Sequence, residues 1–285
     1  MSGVPPETSP QTPETGAGAS NLFLRVVAAM VLAPLTIGIA WIGGWPWICL
    51  VTAAGALLYA EWLMIVGASR NRFLVAAGVS ALVIAGLPMV AGRTDVAVAI
   101  LVAGTAVVAI FASKQRLWVA GGMVYAAAAV IASILVRLDA EAGFLALMFV
   151  LLVVWVTDIG GYFAGRGIGG PKLWPRVSPK KTWAGAIGGL VLSLAVAAAF
   201  ALLGYGRMLP LLLLGTMLSV VSQLGDLFES AIKRQFGVKD SSHIIPGHGG
   251  LMDRLDGFVA AIVFAAFIGF LRGGLDGVGR GFMVW

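Results

Sequence analysis

The stretch from residue 230 to residue 256, SAIKRQFGVKDSSHIIPGHGGLMDRLD, carries side chains that suit chemistry better than packing. Lys233, Arg234, Lys239 and Arg254 alternate with Asp240, Asp253 and Asp256, and both histidines of the chain, His243 and His248, lie within it. Just upstream, SQLGDLFES sets Asp226 and Glu229 three residues apart, which places them on one face of a predicted helix. Ser222 and Ser230 stand four residues to either side of Asp226 and extend that face. Two more polar segments approach the same side of the chain. WVTDIGGYFAGRGIGG at 155–170 puts Asp158 near a span end, and RVSPKKTWAG at 176–185 supplies Ser178, Lys180, Lys181 and Thr182.

Aspartates without a cysteine or multi-histidine set are hard oxygen ligands and suit Mg²⁺ rather than Zn²⁺. Mg²⁺ takes one or two carboxylates and completes its shell with water and phosphate oxygens, so a metal here implies a phosphate substrate. Lys180, Lys181, Lys233, Arg234, Lys239 and Arg254 match polyphosphate as point charges or forks. Gly247, Gly249 and Gly250 would let backbone N–H groups approach an anion closely. The Walker phosphate loop is absent. Plainer readings stand beside these. Asp226 could be a helix-end residue paired with Lys233 or Arg234, and Asp256 an acid favoured by a helix N-terminus. The cations could hold anionic lipid, but that leaves the interleaved aspartates without a purpose. His248 could contact phosphate, move a proton or simply hold its loop; His243 reads as incidental.

The elements that must position these residues are apolar. The 285-residue chain is 60% hydrophobic and 11% charged, with mean hydropathy +0.98, where a soluble domain carries roughly 25% charge. This composition predicts an all-α, polytopic membrane protein. Nine spans are expected, at 22–43, 45–66, 73–91, 95–112, 117–136, 142–163, 184–204, 208–230 and 256–272, several of them near the ~20 residues that cross a bilayer. Residues 1–20 read as a disordered tail, 21–140 as scaffold helices, and 141–285 as a catalytic region with polar loops at 164–183 and 231–255. The net charge of +6 does not indicate nucleic acid, because the cations sit in short loops between spans. With the N-terminus inside, Arg93, Arg137, Arg207, Arg272 and Arg280 fall outside and the other fourteen of 19 Lys and Arg fall inside. That bias gives N-in, C-out and places both polar loops in the cytoplasm. The lone Cys49 excludes an internal disulfide and reads as a small packing residue. Gly185 and Gly189 form a small-xxx-small pair that packs helices within the chain or between copies.

At every constrained position, residues 230–256 resemble the signature of the phosphatidate cytidylyltransferases, also called CDP-diacylglycerol synthases. The upstream GDLFES, the SPKKTW stretch and TDIGGYFAGRGIGG resemble segments of that family in the same order. The resemblance is specific over about 155–258; the earlier helices match mainly in hydropathy, with Glu61-Trp62 as an addition. One departure is Ala184, where the family often has Glu after the Trp, so no role can be carried to that position. The resemblance implies transfer of CMP from CTP to phosphatidate, with release of pyrophosphate, at the cytoplasmic face of a bacterial-type inner membrane. It implies Mg²⁺, with scope for a second cation, held by Asp226 and Asp253. Lys233, Arg234 and His248 are candidate catalytic residues beside Asp226 and Asp253. Substrate and phosphate contacts are expected from Asp158, Ser178, Lys180, Lys181, Thr182, Lys239, Asp240, Gly249, Gly250, Arg254 and Asp256. A homodimer also belongs to the family picture.

The rival readings are a CTP-dependent membrane lipid kinase, which would move the γ-phosphoryl group, and a transporter, which would bury charges deep in several spans. Deleting residues 1–20 is expected to leave the rate of cytidine-lipid formation within about twofold of the full chain, since a tail of this composition has no core to contribute. A larger loss in that assay would give the tail a role.

Overall fold

The computed structural model describes residues 30–112, 115–242 and 249–285, and the expected tail at 1–20, His243, Gly247 and His248 lie outside them. The apolar runs form helices α1 (Met30–Ile42), α2 (Gly44–Ile65), α3 (Arg72–Val90), α4 (Thr94–Phe111), α5 (Arg116–Leu138) and α6 (Gly143–Gly167). A hairpin of β1 (Lys172–Trp174) and β2 (Ser178–Thr182) follows, then α7 (Trp183–Leu202), α8 (Met208–Gln235), α9 (Met252–Gly273) and a short α10 (Val278–Met283). Among the described residues, eight helices, α2 to α9, are long and apolar enough to cross a membrane, and α1 covers the described part of the first expected span. The chain is therefore an all-α, multi-span membrane protein with one small hairpin.

Several features depart from expectation, among them the start of α9 at Met252 rather than at 256. Helix α6 runs on to Gly167, so Asp158 sits nine residues before its end and not close to it. Glycines in this last part are tolerated because they face α7, as described below. Helix α8 runs 28 residues, to Gln235, and at 1.5 Å per residue its ~42 Å exceed a ~30 Å hydrocarbon core. Its last turns stay packed in the bundle, with Glu229, Ile232 and Lys233 buried. Lys233 and Arg234 suit the carbonyl end of the helix dipole. Gly237, at φ 70°, closes it: Gly237 N–H donates to Arg234 O and Val238 N–H to Lys233 O. A further departure is the hairpin, which forms within the polar loop at 164–183. β1 and β2 are antiparallel, pairing Lys172 with Thr182 and Trp174 with Ser178 around an irregularity.

Two hydrophobic cores hold the bundle. One joins α2 to α5 with Ile232, Met252 and Val259 of α8 and α9. The other joins α6 to α10 with Ala40, Trp47, Ala132 and Val136. Helices α5 and α9 contribute to both, so the early and late helices share their interior. Helix α4 presents Val98, Val102, Ile110 and Phe111 outward, as lipid contact requires. Cys49 is exposed on α2 rather than packed inside.

Helices α6 and α7 meet along a seam of glycines. A Cβ on Gly160 would stand 2.8 Å from Gly188 O, and one on Gly185 would stand 2.7 Å from Gly161 O. The Gly185/Gly189 pair is thus used inside the chain. In lipid, where apolar burial offers no net drive, such close backbone contact supplies van der Waals attraction. The seam also brings the intervening hairpin back over the bundle. A Cβ on Gly189 would lie 2.5 Å from Thr157 O, so Gly189→Val is expected to cost about 1–3 kcal/mol of overpacking strain. The measurement is the melting temperature in detergent. Gly38→Ala, where a Cβ meets nothing within 4 Å, should not lower it, since alanine is the better helix former.

Candidate active site

The hairpin, the last turns of α8 and the first turn of α9 bring the polar residues together. Along β2, successive side chains point to opposite faces. Lys180 is exposed, and Lys181 turns inward to form an ion pair with Asp226 on α8. Ser230 Oγ donates weakly to Asp226 Oδ1 at 3.4 Å. The partner of Asp226 is therefore Lys181 and not Lys233 or Arg234. Arg234 caps its own helix end, with Nη1 donating to Val238 O at 3.0 Å. Thr182 is buried and caps α7, its Oγ1 accepting from Gly185 N–H at 3.1 Å. Ser178 is half-buried on β2.

Lys233 joins the two late helices. Its ammonium lies 2.8 Å from Glu229 Oε2 and 2.6 Å from Asp253 Oδ1. The side chain is 10% exposed and that of Glu229 is 1% exposed, so both charges depend on each other rather than on water. The Glu229 contact is a charge pair without hydrogen-bond alignment, and neither Glu229 oxygen has a hydrogen-bond donor among the described residues. Asp253 is held more completely. Besides Lys233, it accepts from Ser241 N–H, from Ser241 Oγ at 3.0 Å and from Gly250 N–H at 3.0 Å. The Gly250 amide, expected to meet an anionic substrate, is turned to this aspartate instead. Gly249 has φ +78° and approaches Asp253 so closely that a Cβ would stand 3.1 Å from Oδ2.

Helices α8 and α9 cross at two glycines. A Cβ on Gly225 would lie 2.7 Å from Asp256 O, and one on Gly257 would lie 3.1 Å from Ser222 O. This crossing sets Asp256 within electrostatic reach of Asp226, Glu229 and Asp158. Asp158 is exposed on α6 and within similar reach of Asp226 and Lys181. Lys239, Asp240 and Arg254 are exposed around this cluster.

Four further residues join the cluster, Glu61 and Tyr125 from early helices and Ser241 and Ser242 from within the polar stretch. Glu61 of α2 is fully buried and accepts from Ser241 Oγ, Ser242 Oγ, Leu251 N–H and Met252 N–H. Ser241 and Ser242 are buried with it. The phenol oxygen of Tyr125, on α5, is buried without a hydrogen-bond partner among the described residues and lies within electrostatic reach of Asp256 and Glu229. An available signal was the rule that an acid inside an apolar span needs a partner. It marks Glu61 but does not say where the partner lies.

Lys181 pairs with Asp226 and Lys233 with Glu229 and Asp253, while Asp158 and Asp256 add negative charge within electrostatic reach of Asp226. Among the described residues, no group of three or more His, Cys, Asp or Glu is arranged as a metal cage. The donor set is nonetheless all hard oxygen, in excess over its cations, and Lys181 marks a place where Asp226 already accepts positive charge. Such a set fits Mg²⁺ bound through one or two carboxylates and completed by phosphate. The chemistry open to this arrangement is charge neutralisation and positioning of phosphates.

Residues 23–271 match the model of the Cytidylyltransferase family. A protein of Brucella suis named phosphatidate cytidylyltransferase is 41% identical over 256 residues, which is 88% of this chain and 94% of that protein. The protein of the same name from Bacillus subtilis is 46% identical over 127 residues, 43% of this chain and 46% of its own length. One from Staphylococcus saprophyticus is 51% identical over 115 residues, 40% of this chain and 44% of its own. Lys233→Met would leave Glu229 and Asp253 without their shared cation, and breaking a buried pair in this way costs roughly 3–5 kcal/mol. A clear fall in melting temperature in detergent is expected; an unchanged value would show that the pair does not hold α8 to α9.

Proposed function

The chain belongs to the Cytidylyltransferase family, and on that premise we propose how its residues make CDP-diacylglycerol from CTP and phosphatidate. The observation that carries the reading is the 41% identity to a phosphatidate cytidylyltransferase along nearly the whole of both chains. The enzyme is a membrane nucleotidyltransferase. In the reaction, a phosphate oxygen of phosphatidate bonds to the α-phosphorus of CTP while the bond from that phosphorus to the bridging oxygen breaks and pyrophosphate leaves. A phosphomonoester has its second pKa at about 6, so the nucleophile is already largely ionised and needs no general base.

The barrier lies in bringing two anions together and holding the leaving pyrophosphate, which makes positioning and charge the main sources of rate. Lys181, half-buried against Asp226, would meet phosphate oxygens at the mouth of the cluster, with Lys180, Lys239 and Arg254 exposed around it. Lys233 would keep Asp253 ionised and in place. Asp226 and Asp253 would hold Mg²⁺, with Asp256 and Asp158 adding negative charge nearby. Bound Mg²⁺ supplies charge neutralisation of the triphosphate. The accessible oxygen of the pair is on Asp226, whose side chain is 28% exposed against 16% for Asp253. The cluster lies among helix ends that carry most of the cations, which supports a cytoplasmic site in an N-in, C-out inner-membrane protein. A homodimer would have to use a surface other than the Gly185/Gly189 seam.

The test uses purified protein, phosphatidate and [α-³²P]CTP. Label in the organic phase, with equal pyrophosphate and loss of both in EDTA, is expected. Label transferred only from [γ-³²P]CTP would make the protein a lipid kinase and end this reading. Asp226→Asn should lower turnover on the order of 100-fold while the protein still inserts and purifies. Near-normal turnover at limiting Mg²⁺ would remove Asp226 from metal binding.

A further inference from the structure

Helix α9 begins without a cap of its own. Its N-cap position, Leu251, supplies no side-chain hydrogen bond, yet the free amides of a helix start need acceptors when buried. Glu61 provides them from α2. Its Oε1 accepts from Leu251 N–H and Ser242 Oγ, each at 2.8 Å. Its Oε2 accepts from Met252 N–H at 2.7 Å and Ser241 Oγ at 3.1 Å. A cap alone would need only the two amides. The link to Ser241 does more, because Ser241 Oγ also lies 3.0 Å from Asp253 Oδ2 and Ser241 N–H lies 3.1 Å from the same oxygen. One hydroxyl proton therefore stands between two carboxylates. Gly250 completes the contact: a Cβ there would come within 2.6 Å of Glu61 Oε2.

We infer that Glu61 is a positioning residue for cytidylyl transfer, setting Asp253 and the first turn of α9 through Ser241 and the Leu251 and Met252 amides. This rests on the reading of the chain as a phosphatidate cytidylyltransferase. The residue touches no substrate; it acts through Asp253. Glutamine at this position has the same size but the wrong hydrogen-bonding groups. Whichever way its amide turns, an NH₂ faces either Leu251 N–H or Met252 N–H. The serine hydroxyls can rotate to accept from it, and the backbone amides cannot.

The experiment compares Glu61→Gln, Ser241→Ala and the double variant in the full chain, in detergent–lipid micelles, with kcat and both KM values measured. Glu61→Gln is expected to lower kcat roughly 10–100-fold, as loss of a supporting hydrogen-bond shell does. The KM for CTP and for phosphatidate should stay within about threefold. The double variant should be no slower than the slower single variant within about twofold, because both changes act along one path. Wild-type kcat in folded Glu61→Gln overturns the inference, and so do losses that multiply in the double variant. Should Glu61→Gln fail to purify, Ser241→Ala decides: a several-fold fall in kcat is expected, and a wild-type rate overturns it. Failure of the wild-type chain to form a cytidine lipid would sink the functional reading instead. The clamp is then read by amide hydrogen exchange of residues 250–256, expected to quicken in Glu61→Gln; unchanged exchange overturns it.

Discussion

A carboxylate inside a helical bundle wrapped in hydrocarbon has no bulk water to solvate it, so its donors must come from the protein. Glu61 meets that demand with two backbone amides and two hydroxyls drawn from a segment 180 to 191 residues away. The consequence runs outward from there. Because the first amides of α9 are satisfied by α2, α9 starts at Met252 and presents Asp253 in its first turn. Asp253 gathers Ser241, Gly250 and Lys233. Lys233 in turn offsets the charge of Glu229 within α8. An early helix is thus tied by hydrogen bonds to the polar stretch near the other end of the chain.

Close backbone approach is the second device. The α6–α7 seam returns the hairpin to the bundle, and the Gly225 and Gly257 crossing draws α8 against α9. Glycine weakens a helix by about 1 kcal/mol per residue relative to alanine. Here it lets two pairs of backbones meet, and those meetings carry Lys181 to Asp226 and Asp256 to the same cluster. The result is an excess of carboxylates over ammonium groups at one end of the bundle, open to the exposed cations around it. Two anionic substrates can be held together only where positive charge offsets their own, and the exposed cations stand at the edge of this cluster.

The spans, the all-α class and the crowding of charge at 226–256 were legible in the sequence, because hydropathy and motif density are local properties that survive without contacts. The family was legible for the same reason, since its signature is continuous in the chain. Some local detail was less clear: a loop at 164–183 reads only as polar when its pairing depends on two short strands finding each other, and Asp158 reads as terminal when α6 continues through glycines that only α7 can justify.

Which residues answer which charges was decided by tertiary structure alone. Lys180 and Lys181 are equal in sequence, and strand alternation against α8 selects Lys181. Asp226 had two cations within reach on its own helix, yet the hairpin supplies its partner while Lys233 turns to Glu229 and Asp253. The Gly250 amide, free on paper to meet a substrate, is taken by Asp253. Sequence determined the inventory of spans and charges, because each is a property of adjacent residues. The pairings depend on which helix ends are brought within about 3 Å of one another, and a contact across 180 residues leaves no local trace.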